Sequence, residues 1–379
     1  MSTVKLADVA IESRESLKEK DTTLPVVGLE HIIPEQINLT EWDIGVENTF
    51  TKTFQKGDVL FGRRRAYLKK AAVAPCKGIC SGDITVIRAK EDKIIPELLP
   101  FIIQNDEFFD YAVGKSAGSL SPRVKWEHLA NYEFNLPKIE EQKKLADTLW
   151  QIVTTMESYK KLLSRTDEMV KAKFIEMFGD NSFETTTLEK ECSLITKGTT
   201  PTTMGFDFVD DGINFIKIEN IDDTGNFLKD KIMHISEDCN KKMKRSQLNC
   251  GDVLFSIAGA IGRIAIINDD ILPANTNQAL AIIRLKKDSC INTSFLAKAL
   301  SSDFIRKQYL KKQRGIAQIN LSLDDIANFI IPAPNEEKQV EYVNFVEKSD
   351  ETKAAVKASL DSLTKIYKTI IAENLGGNN

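Results

Sequence analysis

Lysine and arginine crowd three stretches of this chain, and the chemistry they offer is recognition of phosphates and of base edges. Arg63, Arg64, Arg65, Lys69, Lys70, Lys77 and Arg88 lie between Gly57 and Arg88, against Asp58 and Asp83 alone. A second stretch holds Lys241, Lys242, Lys244, Arg245 and Arg263 against Asp252, and a third holds Lys298, Arg306, Lys307, Lys311, Lys312 and Arg314 against Asp303. Clustered cations neutralise phosphates, while Arg, Asn and Gln can bond two base-edge atoms at once in a major groove. Arg63, Arg64 and Arg65 supply forked donors, and Asn275, Asn277, Gln278, Gln318 and Asn320 supply amides in loop-like stretches. Arg123 and Lys125 are expected to hold phosphates. Trp126 beside them aligns with Leu323 and is expected to pack.

A charge run by itself ordinarily marks a solvated face. Here similar runs follow the same strand twice, because the chain is written twice. Gly57-Asp58-Val59-Leu60-Phe61 returns unchanged from Gly251 to Phe255, a shift of 194 positions. Leu29-Glu30-His31-Ile32 returns as Ile218-Glu219-Asn220-Ile221, and Gly118 through Tyr132 aligns without a gap on Gly315 through Phe329. A repeat of this length is a whole folding unit rather than a solenoid turn. Two similar but non-identical units suit two similar but non-identical targets.

Each copy reads as a mixed α+β domain followed by one long helix. Val26–Leu29, Asp58–Phe61 and Ile84–Ile87 are predicted strands, with a helical segment over Pro96–Tyr111; the second copy has Phe215–Ile218, Val253–Phe255, Ala281–Ile283 and a helix over Thr293–Leu310. Leu136-Pro137 and Ile331-Pro332 close the two domains, and Glu140-Glu141 and Glu336-Glu337 open the helices. Leu145, Leu149, Ile152, Met156, Tyr159, Leu163, Thr166 and Val170 recur at alternating steps of four and three, the period of a coiled-coil seam. Tyr342, Val346, Ser349, Lys353, Val356, Leu360, Leu363, Tyr367 and Ile370 repeat it, with Ser349 and Lys353 as a polar interruption that can fix register. Each helix is predicted to run about 57 Å. Either each docks on its own domain or the two pair; antiparallel pairing across the short link near Phe178–Asn181 is the expected arrangement, with a pseudo-twofold axis across it. The predicted boundaries are 1–138 and 181–334 for the domains and 139–180 and 335–379 for the helices. From Glu140 to Phe178 acidic and basic residues balance at seven each, so the positive charge sits in the domains.

Catalytic apparatus is missing from the sequence. There is no Walker loop, HExxH, GxSxG, dinucleotide fingerprint or amino-methyltransferase motif. Gly259-Ala260-Ile261-Gly262 reads equally well as a tight turn. The six cysteines form no CxxC pair and the three histidines are scattered, so no metal site is expected. Reduced thiols, an apolar-core-free start from Met1 to Lys20 and no stretch near 18 apolar residues predict a cytoplasmic protein without a membrane partner. A net charge of −4 excludes a uniformly basic nucleic-acid binder but not local patches.

These residues resemble the specificity (S) subunit of type I restriction-modification systems. The resemblance covers essentially the whole chain. It rests on Gly28-Leu29-Glu30-His31-Ile32, on Gly62–Leu68 running to Gly78–Asp83, and on Ser121-Pro122-Arg123-Val124-Lys125-Trp126-Glu127. It rests also on Leu136-Pro137 with Glu140-Glu141-Gln142, and on Gly251–Phe255 with Gly259–Gly262. One departure is Pro332–Gln339, where Lys338 interrupts the expected Glu-Gln. The resemblance implies a non-catalytic reader of double-stranded DNA, with a target recognition domain for each half of a split site. It implies helices that set the spacing and dock two methyltransferase subunits, with restriction subunits joining them. No cofactor is expected in this chain; S-adenosylmethionine belongs to the methyltransferase partner, and ATP and Mg to the restriction partner. Other readings are a protein–protein scaffold with basic loops, or the same subunit serving a fused methyltransferase-nuclease.

Overall fold

The strands that contain the last three residues of the duplicated pentapeptide sit inside two sheets built to one plan. In the computed structural model, which describes residues 2–18, 21–179, 183–310 and 320–377, the chain divides into two units. One comprises Met1–Leu162 with Val356–Asn379, the other Leu163–Ala355. The first unit holds a four-stranded antiparallel sheet in the order Ala10–Ser13, Ile84–Ala89, Val59–Gly62, Ala71–Val73. The second repeats the order with Cys192–Lys197, Leu280–Leu285, Val253–Ser256 and Ile264–Ile266. Val59, Leu60 and Phe61, like Val253, Leu254 and Phe255, are fully buried because these strands are covered on both faces.

Beside each four-stranded sheet lies a three-stranded one, and here the copies part. Val26–Val27 pairs parallel with Gly78–Cys80, as Ile213–Ile216 does with Ala274–Thr276. The third strand of the first unit, Lys52–Phe54, adds antiparallel to Gly78–Cys80; its counterpart Met233–Ile235 adds to Ile213–Ile216 instead, on the opposite edge.

Each predicted domain helix is broken in two. Leu99–Ile103 is followed by Asp106–Gly114, because the Asn105 side chain accepts from Glu107 N and caps a new start. Thr293–Leu300 and Asp303–Leu310 are parted at Ser301 and Ser302, where Ser302 Oγ bonds back to Ala299 O.

The long helices span Ile139–Phe178 and Glu336–Leu375, and the boundary between units cuts both. Within the second unit, Lys353 pairs with Asp167 at 3.1 Å and Glu341 with Lys173 at 3.6 Å, so the helices run antiparallel there. Of the predicted seam, Leu149, Thr166, Tyr342, Val346 and Ser349 are buried. Leu145, Ile152, Met156, Tyr159, Leu163, Val170, Lys353, Val356, Leu360, Leu363, Tyr367 and Ile370 are half-buried. The seam widens at the ends of the helices, where Ala146 and Val153 join the first core and Phe174, Met177 and Phe178 the second. Both alternatives for the helices therefore hold within a unit: each helix stretch meets its neighbour and also packs on a domain. In the first unit Phe101 contacts Trp150 of one helix and Tyr367 of the other, at ring-centroid distances of 5.0 and 6.1 Å.

One sequence alignment is corrected. Gln142 Nε2 donates to Pro137 O at 3.0 Å while its Oε1 accepts from Ile95 N; Gln339 Nε2 donates to Pro334 O at 2.9 Å while its Oε1 accepts from Asn292 N. The buried amides fix the register: Pro137 corresponds to Pro334, not Pro332, and Lys338 replaces Glu141 without disturbing the contact.

Candidate nucleic-acid interface

Arg63, Arg64 and Arg65 open a loop that corresponding backbone bonds hold in both copies, one residue longer in the first. Arg63 N donates to Asp83 O and Val124 N to Arg63 O, each at 3.0 Å. In the second copy Ile257 N donates to Ala279 O at 2.9 Å and Leu321 N to Ile257 O at 3.0 Å. The loop closes with Gly62 N on Lys70 O at 2.8 Å, matched by Ser256 N on Arg263 O at 2.9 Å. It needs two left-handed residues. The second copy fills them with Gly259 (φ 70°) and Gly262 (φ 89°), the first with Arg65 (φ 55°) and Lys69 (φ 50°). Gly259-Ala260-Ile261-Gly262 is thus a turn, and its glycines answer a backbone requirement.

On this scaffold the first copy builds a charged network. Asp83 accepts from Arg123 Nε at 2.8 Å and Nη2 at 3.3 Å and from Arg64 Nη1 at 3.4 Å, while Arg64 Nε donates to Ser121 Oγ at 2.7 Å. The Arg123 hydrogen bond, with Arg64 adding to it, holds the Asp83 carboxyl below the usual range. Arg65 is exposed, and its N–H anchors to Pro122 O. Arg63 faces a cleft shared with Arg14, Lys52, Lys125 and Trp126, and its Nε is buried without a partner among the described residues. Lys125 is exposed and Trp126 half-buried against the first core. Lys69 and Lys70 face inward to protein partners: Lys69 Nζ reaches Asp106 at 2.5 Å, and Lys70 Nζ donates to Leu29 O at 2.5 Å.

Some of the cations are structural. Arg88 forms a two-pronged pair with Asp58 at 2.7 and 2.8 Å, and Arg284 the same pair with Asp252 at 2.7 and 2.7 Å. The aspartate of the pentapeptide is the buried anchor of its arginine, not a site. The duplicated Leu/Ile-Glu-His/Asn-Ile has a similar purpose: His31 Nδ1 accepts from Gly28 N at 3.0 Å and Asn220 Oδ1 from Lys217 N at 2.7 Å.

In the second unit the expected amides divide. Asn275 is fully buried, accepting from Ser246 Oγ and donating to Asn240 Oδ1 and Met243 O, so its place among groove-facing amides is corrected. Arg263 is likewise turned inward, its Nη1 on Ile221 O at 3.0 Å and its Nη2 on Asp223 at 3.0 Å. Gln278 is exposed, accepts from Thr200 Oγ1 at 2.8 Å, and stands beside Asn277, whose carbonyl takes Gly198 N. A Cβ on Gly198 would collide with Thr276 O, so this close approach requires glycine. Arg245 reaches Lys197 O at 3.4 Å, and Lys242 lies over the Phe206 ring at 5.0 Å. Exposed Arg245, Lys244, Lys242 and Gln278 with Thr200 form the second unit's candidate face, and Thr200 carried no signal in the sequence. Asn320 is exposed and occupies the position of Arg123. Arg314 and Gln318, with Lys311 and Lys312, lie outside the described residues.

Comparison with known proteins now decides the family. The family model described as "Type I restriction modification DNA specificity domain" matches residues 1–165 and again 184–365. The chain belongs to this family. Its specificity-domain repeats are similar to the Type I restriction enzyme EcoBI specificity subunit of Escherichia coli, 31% identical over 45% of this chain and 36% of that protein. They are also similar to the MjaVIII specificity subunit of Methanocaldococcus jannaschii, 25% identical over 69% of this chain and 65% of that protein. The match thus spans about a third of one relative's length and just under two thirds of the other's. A solved chain from work on assembly and conformational transition of the type I R-M system shares the fold at TM-score 0.60 and 20% identity, covering 98% of this chain and 97% of that one.

Nothing in the described residues of this specificity-domain chain gathers three or more metal-ligating side chains, and no described helix is long and apolar enough to cross a membrane. Burial pushes the Cys80 and Cys192 thiols up to about 12, which makes them packing groups. A cavity of about 1260 Å³ in the second unit, between Phe174, Tyr342 and Ile261, is edged by charges that pair with each other. Lys171 meets Asp303 at 3.1 Å and Lys298 meets Asp350 at 2.8 Å.

Proposed function

We propose that this chain is the sequence-reading subunit of a type I restriction-modification complex. Each unit reads one half of a bipartite, asymmetric site on double-stranded DNA. The carrying observation is that the family model matches once per copy, while the two copies keep one backbone scaffold under different exposed side chains. Residues 1–138 and 181–334 act as the target recognition domains in this reading. Residues 139–180 and 335–379 are the helices that set the gap between half-sites and dock two methyltransferase subunits. S-adenosylmethionine is bound by those subunits, and ATP and Mg by restriction subunits, separate or fused; the chain itself transfers and cuts nothing. Exposed Arg65, Lys125, Lys242, Lys244 and Arg245 supply the phosphate contacts, and Arg64, Arg123, Gln278 and Asn320 meet base edges.

The test is duplex-DNA affinity of the purified full chain across a salt series. The logarithm of the binding constant should fall linearly with the logarithm of salt concentration, since phosphate neutralisation releases counterions. Absence of duplex binding, or binding indifferent to salt, would leave a protein–protein scaffold as the better reading.

A further inference from the structure

Resting on that reading, we propose that Arg64 and Arg123 form one guanine-reading fork in the first unit, with Asp83 as the residue that positions it. The three residues come from segments laced together by the backbone: Arg63 N on Asp83 O, Val124 N on Arg63 O, and Arg65 N on Pro122 O at 2.8 Å. Asp83 therefore meets both guanidinium groups from a fixed place. Arg64 spends Nε on Ser121 and Nη1 on Asp83, and Arg123 spends Nε and Nη2 on Asp83, which leaves terminal N–H groups on each. Both side chains remain partly in solvent, at 40% and 44% exposure.

A phosphate clamp would work best with an unneutralised pair of cations. Here a carboxylate sits between them, cancels one charge and repels a phosphate, while locking the plane and direction of each fork. That arrangement suits the paired O6 and N7 acceptors of guanine, where geometry matters more than charge. The second unit keeps the counterparts of the first two of these bonds but carries Ala258, Ala279 and Asn320 at the three positions, so the fork belongs to one half-site only.

The experiment selects binding sites for the full chain from randomised duplexes, then measures affinity with guanine replaced by 7-deazaguanine, which lacks N7. Wild type should select a guanine in one half-site and lose about tenfold or more in affinity on that replacement. The R64K/R123K double variant keeps both charges but not the forks, and should bind guanine and 7-deazaguanine alike, with an unchanged salt slope and an unchanged second half-site. D83N, with thermal unfolding followed in parallel, should reduce the 7-deazaguanine effect in folded protein. An unchanged guanine preference in folded R64K/R123K and D83N, or a wild-type motif without guanine in either half, would overturn the fork alone. Failure of wild type to select any duplex would overturn the reading beneath it.

Discussion

Arg65 and Lys69 hold left-handed backbone angles where the second copy places glycine. That conformation costs a non-glycine residue on the order of 1–2 kcal/mol, and such strain collects where side chains are needed for binding. Arg65→Gly should therefore raise stability by roughly 0.5 kcal/mol, glycine's greater unfolded-state entropy offsetting part of the relief. The same change should weaken duplex binding. Gly259→Ala should do the reverse to stability, costing about 1 kcal/mol of backbone strain alone, since among the described residues an added Cβ there meets nothing closer than Ile218 Cδ1 at 4.0 Å. Denaturant midpoints of the two variants test both signs. The sequence showed the arginine run but not its division of labour. Arg88 and Asp58 are 30 positions apart, and only the pairing of adjacent strands reveals that they neutralise each other. Asn275 misled for a related reason: an amide in a polar run can equally satisfy buried backbone, and this one does.

Among elements, the long helices were the most legible, since a period of 3.5 residues has few other meanings. What patterning could not show was their attachment to the domains. Gln142 and Gln339, 2% and 1% exposed, tie the first turns of their helices to two and three backbone groups respectively, Gln339 Nε2 also donating to Cys290 O at 2.6 Å. Replacing either by Ala strands a buried N–H and a buried carbonyl, at about 1–3 kcal/mol for each unsatisfied group. Q142A and Q339A should each lower the unfolding midpoint accordingly, and Lys338→Glu, which copies Glu141 of the first unit, should leave it within about 0.5 kcal/mol. Equal, negligible effects from all three would mean that the glutamines do not fix the register. The breaks at Asn105 and Ser302 were invisible for an opposite reason: apolar periodicity continues across them, and a single capping side chain decides where one helix stops.

At the scale of the molecule, duplication was legible because identical residues recur in order, and both sheets repeat their strand order. Divergence of the third strand in the smaller sheets was not, since edge strands are specified by few residues and either edge accepts one. If the long helices set the gap between half-sites, four residues inserted between Tyr159 and Leu163 should lengthen the first by about 6 Å, worth roughly two base pairs. The stutter unwinds the pair locally, so a gap wider by one or two base pairs is expected, with both half-site sequences unchanged. A stable variant that keeps the original gap would reduce the helices to docking surface. The most direct measurement is a map of methylated bases in the genome that encodes this chain, with and without its gene. One methylated motif of two unlike halves at a fixed spacing is expected, lost entirely on deletion. Methylation that survives deletion, or a lost motif that is continuous rather than split, would contradict it.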